Sequence, residues 1–328
     1  MYIRWKDAIA VIMLGVVAPF ILFKAVQTRE QNTGNETIQP TTCTQSVPTE
    51  DKTFRILVMM EDGNIETMEL NEYLVGVVLQ EMPTEFELEA LKAQAVVART
   101  YTLRRVDNGS KHVQAAVCTD PSCCQGFCSQ ERYISEGGND GALCKVQQAV
   151  TETGDSVLVY QGQLIDATYF SCSGGSTEDA QAVWGADVPY LKSVESPGEE
   201  GAAHYTDTVT FERGTFLERL GLDKSIDSGD WIGNITYTKG GGVDSMDICG
   251  RSFTGSQMRK LLNLRSTSFT ITAVGDRVII TTKGFGHRVG MSQYGADAMA
   301  VQGSTYDEIL FHYYSDTELI SYSSAPFR

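Results

Sequence analysis

A chain of 328 residues with an apolar fraction of 42% has room for a membrane-spanning segment and either one large domain or two smaller ones. Its formal net charge of -16 argues against nucleic acid and against anionic lipid headgroups as partners, because both repel an acidic surface. A soluble ectodomain tolerates such a surface.

The run Ala8 to Phe23 is uncharged and continues through Lys24 into Ala25-Val26, about the length that crosses a bilayer. Arg4 and Lys6 precede it, and a short basic N-terminus stays in the cytoplasm, so residues 1–29 are expected to form a cytoplasmic tip and an uncleaved transmembrane anchor. The rest of the chain then lies outside the cell membrane. A cleaved signal peptide is the rival reading, but no small-x-small site directly follows the apolar run. Residues 30–52, rich in Gln, Thr, Asn and Pro, have the composition of a disordered tether. Cys43 sits alone in it without a lipobox, and no catalytic role is expected of it. The folded part is expected over 53–320, with a short tail at 321–328.

Phe54 to Met60 and Ile65 to Leu70 flank Asp62-Gly63-Asn64, a hairpin turn signal. Tyr73 to Val78 is a short apolar segment that reads equally as helix or strand. Glu81 follows, and then Thr84 and Glu87 are spaced as a capping box, which predicts a helix beginning near Glu85. Leu88, Leu91, Ala95 and Ala98 recur on one core face of that helix, and Lys92 and Arg99 lie two turns apart on a neighbouring face. This places Glu81 in a partly apolar bend just outside the helix. An apolar bend raises a carboxyl pKa as a general acid requires, whereas a nearby helix N-terminus lowers it, and the sequence leaves the balance open.

Lys111 to Gln130 packs His112, Cys118, Cys123, Cys124 and Cys128 into one loop around Pro121. Four thiols and an imidazole in so short a span can surround a tetrahedral zinc ion, and a site with only protein ligands would be structural. Two ordinary disulfides are the alternative. Beyond the loop, CKVQQAVTETG reads as a helix closed by Gly154, and Val157 to Tyr160, Gln161-Gly162 and Leu164 to Ser173 read as a hairpin. That hairpin runs into Cys172-Ser173-Gly174-Gly175-Ser176-Thr177-Glu178, a loop that can bring backbone amides to a polar ligand or simply end the strand. Trp184 and Tyr190 beside it suit stacking on a sugar ring or a place in the core.

Residues 211–263 read as a small α+β segment, a possible second lobe, with Gly240-Gly241-Gly242 as a flexible turn and a helix opened by Gly255-Ser256. Phe269 to Val274 and Val278 to Thr282 form another hairpin around Gly275-Asp276. It delivers GFGHRVGMSQYGA, Gly284 to Ala296, where closely spaced glycines permit tight backbone approach around His287. No Lys-Ser/Thr pair follows, so this is not a nucleotide loop. The last helix, near Tyr306 to Tyr314, has its own capping box from Thr305 and Glu308. The fold class expected is α+β: a transmembrane helix, then a mixed α+β ectodomain with several antiparallel hairpins, as one domain or two lobes around a cleft.

At these residues the chain closely resembles the stage II sporulation protein D family. The resemblance rests on EMPxEFxLEALKAQAVxARTY at Glu81 to Tyr101, SxSGGxTE at Ser171 to Glu178, VPYLKSVESP at Val188 to Pro197 and GxGHxVGMSQYGA at Gly284 to Ala296. It implies a lytic transglycosylase that cuts peptidoglycan between N-acetylmuramic acid and N-acetylglucosamine during engulfment in endospore formation. Such enzymes prefer strands stripped of stem peptides and work with a sporulation amidase of the P type and a membrane protein of the M type. The anchor then holds the ectodomain on the mother-cell membrane, facing the space around the forespore. The family's catalytic glutamate falls on Glu81. Lys92, Arg99, Ser171, Ser173, Thr177, Tyr190, His287, Ser292, Gln293 and Tyr294 are expected to bind substrate. Clostridial members resemble a zinc pattern His-x5-Cys-x4-His-Cys, which maps onto His112, Cys118, Cys123 and Cys124, with Cys123 in place of the second His and Cys128 as a competitor. The family loop often has Gly at Arg288, so this arginine bears on how the loop meets substrate.

The expected chemistry needs one carboxyl: Glu81 protonates the glycosidic oxygen and then takes the proton of the muramyl C6 hydroxyl as that oxygen closes on C1. One rival is a non-catalytic glycan-binding module that recruits or stimulates an amidase, as relatives described as amidase enhancers suggest. Another is a zinc hydrolase, against which stand the absence of HExxH and a cysteine loop with enough ligands to close the site.

Overall fold

The computed structural model describes residues 54–223 and 231–324. The anchor expected over 1–29 and the tether over 30–52 lie outside them, as do residues 325–328 of the tail. Among the described residues no helix is long and apolar enough to cross a membrane.

The chain begins with β1 (Arg55–Met59) and β2 (Ile65–Glu69), paired antiparallel with Arg55 opposite Glu69. Asp62 Oδ1 accepts from the Asn64 N–H at 3.0 Å, the local bond that makes this tripeptide a turn. The segment left open as helix or strand is part of α1 (Leu70–Glu81), whose Tyr73, Leu74, Val77 and Val78 are fully buried. Glu81 is therefore the last residue of a helix rather than part of a bend preceding one.

The next helix, α2 (Leu88–Asn108), starts later than the capping signal predicts. The Thr84 hydroxyl instead meets the Tyr133 hydroxyl at 3.3 Å, and the Glu87 N–H donates to Asp297 Oδ1 at 2.7 Å, so tertiary partners displace the local box. After α2 come β3 (Val117–Cys118), which pairs parallel to β1, then α3 (Gln130–Ser135) and α4 (Asp140–Glu152). β4 (Ser156–Tyr160) and β5 (Gln163–Leu164) form a hairpin, but the second strand is only two residues long. The chain then departs to β6 (Tyr169–Phe170), and the short helix α5 (Ala180–Trp184) follows.

A second hydrophobic core is built from β7 (Thr206–Glu212), α6 (Arg213–Arg219), β8 (Ile232–Tyr237), β9 (Val243–Ile248), β10 (Arg251–Thr254), α7 (Gly255–Leu262), β11 (Phe269–Val274) and β12 (Arg277–Lys283). It has two three-stranded sheets, β10-β9-β8 and β11-β12-β7. α7 opens on Thr254, whose hydroxyl accepts from Gln257 N–H at 3.1 Å, rather than on the following Gly-Ser pair. The second lobe thus extends past the expected 211–263 on both sides, because β7 and β12 pair along their length.

The chain returns to the first core with β13 (Met291–Ser292), α8 (Gln293–Val301), α9 (Tyr306–Tyr313) and β14 (Glu318–Ser321). The capping box of Thr305 and Glu308 forms as the sequence predicts. At the centre lies α2, with α1, α4, α8, α9 and β4 packed around it. Its residues from Ala90 to Leu103 are nearly all buried, polar Gln94, Arg99, Thr100 and Thr102 included, so it lacks the one-sided apolar stripe of a surface helix.

Candidate active site

Glu81 lines a cavity of about 320 Å³ together with Tyr101, Cys124, Tyr169, Ser171, His287 and Gln293, among other residues. Glu81 is the one carboxyl in that lining among the described residues. Its Oε1 accepts from the Gly126 N–H at 2.6 Å, and the Tyr169 hydroxyl also bonds the carboxyl group. Burial raises the Glu81 pKa and outweighs these two donors, which lower it by favouring the carboxylate. The C-terminal end of α1 is no help to a negative charge either. The balance left open by the sequence falls toward a proton-holding acid.

The partners of Glu81 come from far along the chain. Gly126 belongs to the cysteine loop, which is fixed on one side by β3 and on the other by Cys128, whose N–H donates to the Gly76 carbonyl of α1 at 3.0 Å. A Cβ on Gly126 would stand 2.7 Å from Gln80 Cγ and 3.2 Å from Glu81 Oε1, so close approach to the carboxyl requires glycine. Tyr169 receives a bond from Gln125 Nε2 at 3.3 Å, and Gln125 Oε1 accepts from the Thr102 hydroxyl of α2 at 3.0 Å. Gly126, Gln125 and Tyr169 were not singled out by sequence reasoning. The Gln-Gly-Phe step within the cysteine loop was the available signal for a close backbone approach.

His287 forms another wall, its ring 5.6 Å from that of Phe170 and 5.4 Å from that of Trp184. Its Nδ1 accepts from the Val289 N–H at 3.1 Å, so the neutral ring carries its proton on Nε2. Burial, and then the positive charge of Arg259, push its pKa down to about 4. It is a neutral donor over the ordinary pH range. The loop carrying it threads tightly past the β6 segment: a Cβ on Gly290 would stand 2.1 Å from the Thr168 carbonyl oxygen.

Of the expected substrate-binding residues, Ser171, His287 and Gln293 line this cavity with Glu81. Gln293 Nε2 is buried without a hydrogen-bond partner, which leaves a donor for whatever fills the space. The others hold the walls. Ser173 N–H donates to Glu199 Oε2 at 2.7 Å, Thr177 Oγ1 accepts from Val194 N–H at 2.9 Å, and Ser292 Oγ caps α8 by accepting from Gly295 N–H at 3.2 Å. Tyr190 accepts from Asp166 N–H at 3.0 Å, and Tyr294 packs edge-on against Phe86. Lys92 and Arg99 line neither this cavity nor the one beside it. Lys92 is ion-paired with Glu89 and Glu152, each at 2.7 Å, and the buried Arg99 guanidinium donates to the Val150 carbonyl at 3.1 Å and the Ser156 carbonyl at 3.3 Å.

The Gly240-Gly241-Gly242 run, expected as a flexible turn, is a packed one. A Cβ on Gly240 would stand 2.3 Å from the Thr177 carbonyl oxygen, and the Gly242 N–H donates to Glu178 Oε1 at 2.9 Å.

In the cysteine loop, His112 Nε2 lies 3.6 Å from both Cys123 Sγ and Cys124 Sγ, and those sulfurs are 3.9 Å apart. With Cys118 these donor atoms all fall within 4.8 Å of one another. None of the three cysteines is in a disulfide. Cys128 turns away and donates to the Ser129 carbonyl at 3.5 Å, so it does not compete for the cluster. Cys144 is disulfide-bonded.

A family profile described as Stage II sporulation protein matches residues 61–160. The chain is similar to stage II sporulation protein D of Bacillus amyloliquefaciens, 40% identical over 261 residues that cover 78% of this chain and 75% of that protein. Its similarity to stage II sporulation protein D of Bacillus subtilis is 36% identity over 300 residues, covering 90% of this chain and 84% of the relative. An amidase enhancer of Bacillus subtilis is 28% identical over 307 residues, covering 76% of this chain and 40% of that protein.

Proposed function

Because the chain belongs to the stage II sporulation protein D family, we propose that it is a lytic transglycosylase acting on the glycan strands of peptidoglycan. The observation that carries this reading is a single carboxyl, Glu81, held in a cavity with its protonated form favoured by burial. Hydrolysis by a carboxylate pair needs a second acid about 5 to 9.5 Å away, and none lines this cavity among the described residues. Transglycosylation needs one. Protonated Glu81 gives its proton to the glycosidic oxygen as the C1–O4 bond breaks. The resulting carboxylate takes the proton of the muramyl C6 hydroxyl while O6 bonds to C1, giving a 1,6-anhydro end and restoring the acid. Gly126 and Tyr169 keep the carboxyl aimed through both steps, and the unpaired Gln293 amide supplies a donor for a sugar hydroxyl or acetamido oxygen.

The reading places the protein in spore engulfment, tethered by residues 1–29 with the ectodomain on the wall side, beside an amidase of the P type and a membrane protein of the M type. We also propose a structural zinc ion on His112, Cys118, Cys123 and Cys124. Tetrahedral bonds of about 2.3 Å to sulfur and about 2.1 Å to nitrogen put neighbouring donor atoms roughly 3.6 to 3.8 Å apart, close to the 3.6 to 3.9 Å among His112, Cys123 and Cys124. Such an ion would crosslink the loop that carries Gly126.

The similarity to an amidase enhancer favours a second reading, a glycan-binding module without catalysis. Mass spectrometry of products from stem-peptide-free strands incubated with the full-length chain separates the two. Fragments ending in 1,6-anhydromuramic acid, lost in Glu81→Gln, are expected; strands that stay intact while bound would give the second reading precedence.

A further inference from the structure

A second cavity, of about 350 Å³, adjoins the first, and His287 belongs to the walls of both. Its far side is α7, which contributes Arg259 and Lys260, with Asn263 just past its C-terminal end, and Val183 of α5 also lines it. Trp184, next to Val183, is 45% exposed with its ring beside His287, so an apolar face marks the junction of the two spaces.

Arg259 is the unusual group here. Several arginines of the described chain meet carboxylates, Arg265 with Asp207, Arg277 with Glu212, Arg132 with Glu136 and Arg288 with Glu178, and the buried Arg99 is bonded to backbone carbonyls. Arg259 is half-buried, and burial alone lowers its pKa, with no carboxylate among the described residues paired to it to offset the loss of water. A partly desolvated guanidinium without a counter-charge, in a protein of net charge -16, marks a place for an incoming anion. The neighbouring Lys260 adds to the positive potential, and Asn263 offers an amide.

We infer that this second cavity is a subsite for the carboxylate of an acidic sugar, with Arg259 as its partner and Lys260 and Asn263 beside it. The inference rests on the glycan reading of the first cavity. In a wall glycan the sugars themselves are neutral, and the negative group is the lactyl ether on each muramyl residue. It is a carboxylate only where the stem peptide has been removed; with the peptide attached it is an amide, which has no charge for Arg259 to meet. The subsite therefore distinguishes bare from peptide-bearing strands by charge at one position, in addition to any exclusion by size.

The test is equilibrium binding by the full-length Glu81→Gln chain, which does not consume its ligand. The probes are a neutral N-acetylglucosamine tetramer, a tetrasaccharide alternating N-acetylglucosamine with N-acetylmuramic acid, and the same tetrasaccharide with its lactyl groups amidated. The free acid is expected to bind about tenfold more tightly than the amide. Adding Arg259→Gln should abolish that ratio and leave the neutral tetramer's affinity unchanged, which also shows the variant to be folded; Arg259→Lys should restore part of it. If acid and amide bind equally, or if the preference survives in Arg259→Gln, the subsite is wrong and the glycan reading stands. If none of the three probes binds, both fall.

Discussion

Arg288 Nη1 lies 3.1 Å from Glu178 Oε1, and both side chains are 1% exposed. The same guanidinium donates from Nε to the Ser173 carbonyl at 2.7 Å and from Nη2 to the Ser176 and Gly240 carbonyls at 2.8 and 2.7 Å. One side chain thus joins the loop carrying His287, the loop after β6 and a turn of the second core. It neither blocks nor widens the cavity beside Glu81, whose lining does not include it. The φ of 65° explains why glycine also suits the position.

Removing that guanidinium leaves Glu178 buried without its counter-charge. Arg288→Met should lower unfolding stability by about 3 to 5 kcal/mol, and Arg288→Gly by a similar amount despite the eased backbone. Adding Glu178→Gln should recover much of the loss. Denaturant unfolding measures this, and an unchanged midpoint in Arg288→Met would show that the pair holds nothing together.

Gly126→Ala puts a methyl group against Gln80 and the Glu81 carboxyl. Displacing a catalytic acid by a few tenths of an ångström costs rate more than affinity, so turnover should fall by about a hundredfold with glycan binding nearly unchanged. A variant that cleaves at the parent rate would mean that the Gly126 amide is not what aims the acid.

The pH profile follows from the signs at Glu81. Its pKa is raised by burial and held back by the Gly126 and Tyr169 bonds, so activity falls on the alkaline side as the acid loses its proton. Tyr169→Phe removes a bond that favours the carboxylate, and the alkaline limb of the rate profile should move to higher pH. A limb that moves down, or stays in place, contradicts the Tyr169 assignment.

The cysteine loop predicts a bound ion with a visible signature. The purified chain should carry about one zinc per molecule, and cobalt put in its place should show thiolate charge-transfer absorption that Cys123→Ser weakens. Stripping the ion with a chelator should loosen the loop and slow cleavage by unseating Gly126. A metal-free chain with full activity would rule out the ion's role.

What could be read in the sequence was mostly what is decided locally. The Asp62-Gly63-Asn64 turn, the β11–β12 hairpin and the Thr305 capping box each depend on residues a few positions apart, and all three form. The His/Cys cluster of the 111–130 loop was legible for the same reason, since short spacing brings those donors near one another, whereas the choice of His112, Cys118, Cys123 and Cys124 over Cys128 came from the family resemblance. Glu81 was legible as a candidate through family resemblance, but its surroundings were not. Its donors lie 45 and 88 positions away at Gly126 and Tyr169, and no periodicity connects them. Arg99 shows the converse: a cation on a helix reads as a ligand contact in the sequence, whereas its tertiary partners are the carbonyls of Val150 and Ser156.

The parallel pairing of β6 with β13 joins Phe170 to Ser292 across nearly half of the described chain. A contact of such sequence separation forms late, because a long loop must close before it is rewarded. The cavity gains its His287 and Gln293 walls only through that closure. An unfinished or C-terminally truncated chain therefore carries the acid without the groove. The fold acts as a timing device, leaving the cavity around Glu81 incomplete until the last third of the polypeptide has been made and docked.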